Sequence, residues 1–175
     1  MSNFLKSRKL YGDTVGFLSK TPVSILSITW IPNTAADALV LGYCIQGVTD
    51  IVLSERAVAS AITSSGTITD PGGTLYPNTY AAGDVIDILE CNTKANKGMH
   101  LITSAGNNSR IIVEAELTDV AADLLRFRTY KGRVFEKMFS AAKDTMQFHY
   151  DKDTIVPNLF ISSIAGSGLV LVQIA

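Results

Sequence analysis

Apolar and polar residues alternate with a period of two along most of this chain. In Val23–Ile31, Leu26, Ile28 and Trp30 fall on one side, and Ser27 and Thr29 on the other. In Ala38–Gln46 the aligned set is Leu39, Leu41, Tyr43 and Ile45. In Arg110–Leu117, Ile111, Val113, Ala115 and Leu117 alternate with Ile112, Glu114 and Glu116. In Leu124–Tyr130, Leu125, Phe127 and Thr129 alternate with Arg126, Arg128 and Tyr130. Successive side chains of a strand point to opposite faces, so this spacing predicts half-buried strands. Shorter stretches at Ile51–Ser54, Val85–Glu90 and Met99–Thr103 read the same way.

Turn residues separate these runs. Pro-Asn occurs at 32–33, 77–78 and 157–158, where Pro presets φ and Asn tolerates the next turn position. Two of these dipeptides open similar stretches, Ile31–Asp37 before one strand and Tyr76–Asp84 before another. They read as turns with the same needs, or as a duplicated strand-turn-strand unit. Helical spacing is thin. Val134, Phe135, Met138, Phe139 and Ala142 fit a short helix after Gly132 or a continued strand. Ser54–Ile62 fits one or two helical turns with Ser54 as N-cap. The pattern predicts a mainly β chain: a single antiparallel β-sandwich or jelly-roll-like domain with one or two short helices. Residues 1–12 read either as an N-terminal arm or as the start of the first strand, and 13–175 as one β-rich domain.

Composition narrows the classes. Hydrophobic types make up 47% and charged types 18%, against about a quarter charged in an ordinary soluble domain. A disordered chain needs the reverse balance. The formal net charge of -1 argues against a nucleic-acid partner. The uncharged run Thr154–Ala175 is long enough to span a bilayer, but its Pro, Asn, Ser and Gly residues divide it. It reads as two strands, Leu159–Ile164 and Leu169–Ile174, joined as a hairpin through Ala165–Gly168. No membrane partner is expected. Cys44 and Cys91 lie in apolar stretches and read as free thiols.

Candidate chemistry is sparse. Arg126, Arg128, Lys131, Arg133 and Lys137 form a basic cluster with Tyr130 and Phe135 between them, a composition that single-stranded nucleic acid could use. A hairpin offers another use for two of them. With Leu117 opposite Leu125, Glu116 faces Arg126 and Glu114 faces Arg128, each pair worth roughly 0.2–1 kcal/mol. Lys131, Arg133 and Lys137 then remain for a protein partner or solvent. His100 and His149 are the two histidines, and no Cys-x-x-Cys or His-x-x-x-His spacing supports a zinc site. Asp84 with Asp87, and Asp151 with Asp153, lack the calcium-loop pattern and read as turn or surface carboxylates. No nucleophile elbow or phosphate loop occurs. The expectation is no enzyme, no cofactor and no metal.

The segment Thr79-Tyr80-Ala81-Ala82-Gly83-Asp84-Val85-Ile86 resembles small virion proteins of tailed bacteriophages. The likeness extends to the loop and strand 104–117 and to the strand Leu124–Tyr130, with Thr129 and Lys131 departing from the pattern. It covers about a quarter of the chain in scattered pieces, all strand and turn motifs with no catalytic residue among them. The resemblance implies a β-rich particle component: a capsid cement or decoration protein, or a head or tail accessory. Its expected partners are copies of itself and major capsid or other virion proteins, and its expected place is the virion, assembled in the host cytoplasm. Phe4, Leu5, Lys6, Arg8 and Lys9, with Lys131, Arg133 and Lys137, are the expected interface. The competing expectation is a carbohydrate- or host-surface-binding sandwich, which needs an exposed aromatic platform drawn from Trp30, Tyr76 and Tyr80.

Overall fold

The computed structural model describes residues 8–45, 52–70, 80–105, 110–114, 117–151 and 153–175, with the backbone alone at 52–60, 105, 110, 122 and 123. The chain is nearly all antiparallel β. Its residues gather into two compact units: Met1–Tyr43 with Val134–Ala175, and Cys44–Arg133. The second unit is therefore a continuous insertion in the first.

The first unit is a two-sheet sandwich. Its strands are β1 (Arg8–Gly12), β2 (Gly16–Phe17), β3 (Val23–Ile31), β4 (Ala38–Tyr43), β11 (Arg133–Phe139), β12 (Met146–His149), β13 (Ile155–Val156), β14 (Phe160–Ala165) and β15 (Leu169–Ile174). One sheet runs β1-β15-β3-β12, with β13 on the start of β3; the other runs β11-β4-β14-β2. Each connection β1–β2, β3–β4, β11–β12 and β14–β15 crosses from one sheet to the other. Eight strands in these two orders form a jelly roll. The insertion lies between β4 and β11, which are neighbours in their sheet.

Both sheets supply the core of this unit. Ile25, Ile28, Trp30, Val170, Val172 and Ile174 face Leu39, Leu41, Met138 and Ile161. Burying one such aliphatic side chain contributes roughly 1.5–3 kcal/mol. Trp30 is fully buried. Gly168 allows this, because a Cβ there would lie 2.5 Å from Trp30 Nε1. One expectation fails inside β3. Leu26 does not join Ile28 and Trp30, because the register to β15 passes from Ser27 to Ile25 and skips it. This bulge flips the phase, so Val23 and Ile25 point inward before it and Ile28 and Trp30 after it.

The second unit is a closed antiparallel barrel. Its strands are β5 (Val52–Ile62), β6 (Thr67–Thr69), β7 (Val85–Glu90), β8 (Gly98–Ala105), β9 (Arg110–Val113) and β10 (Val120–Tyr130). The order β10-β5-β6-β9-β8-β7 closes through pairing of β7 with β10. Ile68, Ile86, Ile88, Ile102, Ile111, Val113, Leu125 and Phe127 fill the interior. Leu125 and Phe127 point inward, as their alternation in the sequence requires.

Three expectations are corrected. Ser54–Ile62 is not helical but lies in strand β5, and of the two readings of Val134–Phe139 the continued strand is the one present, in β11. Among the described residues the helical structure is one 3-10 turn, Lys94–Asn96. The strands of the C-terminal run are present as expected, but they do not pair as a hairpin. β14 bonds to β2 and β4, whereas β15 bonds to β1 and β3. The connection at Gly166 (φ 92) is an arch between sheets, which lets each strand bury its apolar face against the other sheet. The third correction is the proposed charge-paired hairpin. β9 bonds to β6 and β8, and β10 to β5 and β7, so Leu117 never lies opposite Leu125. The chain is diverted between them. Leu117 N donates to Ser64 O, and the buried Asn96 amide bonds both Thr118 N and Thr118 O.

Candidate interaction surface

Strand pairing in the sheet β1-β15-β3-β12 places outward side chains at common levels. Lys9, Gln173, Ser27 and His149 share one level. Tyr11, Leu171, Thr29 and Gln147 share the next, and Leu169 faces Ile31 at a third. The alternate residues Leu10, Val170, Val172, Ile28, Trp30, Met146 and Phe148 pack into the core. The outer face is thus apolar through its middle and polar along one border. Tyr11 is 61% exposed, Ile31 40% and Leu169 37%. Single exposed apolar residues are ordinary, but a contiguous set on one sheet face marks an interaction surface.

β11 is a second candidate. It is the edge of the other sheet, and Arg133, Val134, Lys137 and Phe139 are exposed on it. Met138 is buried in the core and Phe135 packs partly buried against it, its ring 5.4 Å from that of Tyr150. Tyr150 donates its hydroxyl to Glu136 at 2.9 Å. Burial first, and then that acceptor, push the Tyr150 phenol above its ordinary range, so it stays a donor.

The expected interface residues divide. Arg8 and Lys9 are exposed on the edge strand β1, so this part of the expected arm is the first strand of the jelly roll. Phe4, Leu5 and Lys6 lie outside the described residues. Arg133 and Lys137 are exposed as expected. Lys131 is engaged internally, its Nζ 3.1 Å from the buried carboxylate of Asp84. That carboxylate also accepts Gly132 N at 3.0 Å and Ala81 N at 2.9 Å. The motif Tyr80-Ala81-Ala82-Gly83-Asp84 is therefore a folding device: Tyr80 is buried, Gly83 has φ 91, and Asp84 ties the start of β7 to the end of β10.

The expected structural pairs have other partners. Arg126 bonds Glu90 across the β10–β7 ladder at 3.1 Å, both side chains about half exposed. A pair in that setting contributes about 0–1 kcal/mol. Arg128 stands opposite Asp87 in the same ladder. It opposes the rise that burial and Asp87 impose on the Tyr130 phenol. Glu114 accepts the backbone N–H of Leu101. Glu116 lies outside the described residues. Sequence reasoning missed Glu90 and Asp87 because their barrel neighbour, β10, is 30 or more residues away along the chain.

Other chemistry is buried or dispersed. His100 is buried, with Nε2 3.1 Å from Asn96 O, while His149 is exposed on β12. Neither cysteine is in a disulfide. Among the described residues no group of three or more His, Cys, Asp or Glu could hold a metal ion. No helix among them is long and apolar enough to cross a membrane. Two of the three aromatics for a glycan platform, Trp30 and Tyr80, are buried, and Tyr76 lies outside the described residues. No protein-family model, curated protein or solved structure matches this chain.

Proposed function

We propose that this chain is a structural accessory of a phage particle, a decoration or cement protein that packs against copies of itself and neighbouring virion proteins. The observation that carries the reading is the apolar outer face around Tyr11, Ile31 and Leu169, bordered by Lys9 and His149. Surfaces of that kind are covered in assemblies. The jelly roll adds modest support, since capsid domains use it, as do lectins and cupins. The phage-like segment around Asp84 adds the particle context. In this reading the chain works by packing, without catalysis or cofactor, and its place is the virion.

The test is binding to particles assembled without this chain. Purified protein is mixed with them, and occupancy is read by co-sedimentation and cryo-EM. Saturable, symmetric occupancy is the expected result. Absence of binding to heads and to tails overturns the proposal. A carbohydrate-binding module has less support because of the burial of Trp30 and Tyr80. A glycan array with a reproducible hit lost on mutating the outer sheet face would favour it.

A further inference from the structure

We infer that the outer face of the sheet β1-β15-β3-β12 docks face to face on the same face of a second copy, about a two-fold axis parallel to the strands and passing between β15 and β3. The four-strand order makes the face self-complementary about that axis. Rotation about it keeps every level and exchanges β15 with β3 and β1 with β12. Leu169 of one copy then meets Ile31 of the other, and Leu171 meets Thr29, because each pair shares a level in the sheet. The apolar middle closes on itself in an isologous contact.

The borders fix the orientation. Lys9 is exposed on the β1 edge and points outward with Tyr11, whereas Arg8 alternates with it and shares the side of Leu10. Asp151 and Asp153 are exposed just beyond the end of β12, on the opposite edge. Lys9 shares its level with His149, two residues before Asp151. The exchange of edges therefore brings Lys9 of each copy to the β12 edge of the other, toward the end that carries Asp151, on both sides of the axis. An axis across the strands would instead stack β1 on β1 and bring no carboxylate of the β12 edge to Lys9. Charge complementarity of this kind selects register and partner. Strands about 4.8 Å apart make a contact at the small end of specific interfaces, so the dimer is concentration-dependent.

This deepens the assembly reading and rests on it for its purpose, but it is tested on the isolated full chain. Sedimentation velocity over about two decades of concentration is expected to show a monomer–dimer equilibrium. Leu169→Asp and Ile31→Asp are each expected to weaken it at least about tenfold, with far-UV circular dichroism and Trp30 emission unchanged. Lys9→Glu and Asp151→Lys, both at exposed positions, are each expected to weaken it, and the double variant to restore it. A chain that stays monomeric, a dimer that survives both apolar substitutions, or charge reversals without mutual rescue overturns the proposal. Particle binding that persists in a monomeric chain would leave the accessory reading standing without this dimer.

Discussion

The Asp84 carboxylate, buried at 2% exposure, holds the Lys131 ammonium at 3.1 Å and two backbone N–H groups besides. One backbone donor, Ala81, lies inside the motif and the other, Gly132, lies 48 residues beyond Asp84, so the side chain joins the start of β7 to the turn after β10. Asp84→Ala leaves these donors without their acceptor, at roughly 1–3 kcal/mol for each buried group. A loss of about 3 kcal/mol in barrel stability is expected, and less for Asp84→Asn, which keeps an acceptor oxygen. Lys131→Met is expected to cost about 1 kcal/mol, because the lysine is half exposed and solvent screens the pair. Chemical denaturation followed by circular dichroism measures all three. Equal stability of Asp84→Ala and wild type would refute this role.

Asp37 and Asp84 occupy the same place in two matching bulges. Ala36 (φ 68) and Asp37 stand opposite Ser140, with Ala36 N donating to Ser140 O and Ser140 N to Asp37 O. Gly83 (φ 91) and Asp84 stand opposite Ile102 with the same two bonds. Such bulges place their first residue in the left-handed region, where glycine is favoured. Gly83→Ala is expected to destabilise by about 1–2 kcal/mol. Ala36→Gly relieves a similar strain against about 0.5–1 kcal/mol of glycine entropy, so it is expected to be neutral or to stabilise by up to about 1 kcal/mol. Thermal melts of both variants check the opposite signs. Two variants shifting the same way would count against the shared geometry.

The strands were legible because one face of each is buried against a core. Val23–Ile31 and Val85–Glu90 match their expected bounds, and Leu125 and Phe127 point inward as their alternation requires. Periodicity carries no information about which strand lies beside which. The run Leu159–Ile174 shows this, since a Gly-containing turn serves a hairpin and an inter-sheet arch equally well. The Glu114–Arg128 and Glu116–Arg126 pairing likewise rests on sequence proximity. The chain instead leaves β9 across the barrel end, pinned by Asn96, a residue with no pattern signal. The outer face has no signal in the sequence for the same reason: Tyr11, Leu169 and Ile31 come from three distant segments joined only by register. The two Pro-Asn stretches read as turns with the same needs or as a duplicated strand-turn-strand unit, and their aspartates, Asp37 and Asp84, make matching bonds.

Asp37 gives the jelly roll an acid-resistant turn. The Thr34 hydroxyl, then the Thr34 and Asn33 N–H groups, hold its carboxyl below the ordinary value of 3.8, against the opposing effect of burial; Lys143 adds to the lowering. A depressed folded-state pKa contributes stability that is present above the unfolded value and lost as pH falls through the folded value. The contribution is therefore retained at pH 4 and fades below 3.8. Thr34→Val removes the largest cause, so the Asp37 carboxyl is expected to titrate closer to 3.8, while the backbone donors keep it below. Carbon-detected NMR titration of the Asp37 carboxyl reads this directly. An unmoved midpoint would show that the hydroxyl bond is not what lowers it.

The two thiols are expected to react at very different rates. Burial, and then the charge of Asp87, push the Cys44 thiol up to about 12. At pH 8 its thiolate fraction is about one part in ten thousand, and the thiolate is the reactive species. Access compounds this, because Cys44 has no exposed surface. Cys91 is only partly buried, with Sγ donating to Thr93 O at 2.9 Å in the segment after β7. Iodoacetamide at pH 8 is therefore expected to alkylate native protein at Cys91 alone, and both residues once denaturant is added. Peptide mass spectrometry of a time course separates the sites. Cys44→Ser should leave the native labelling stoichiometry unchanged, whereas Cys91→Ser should abolish it. Early labelling of Cys44 in the folded chain would mean that the barrel opens at this residue, and would overturn the assignment of Cys44 as an inert core thiol.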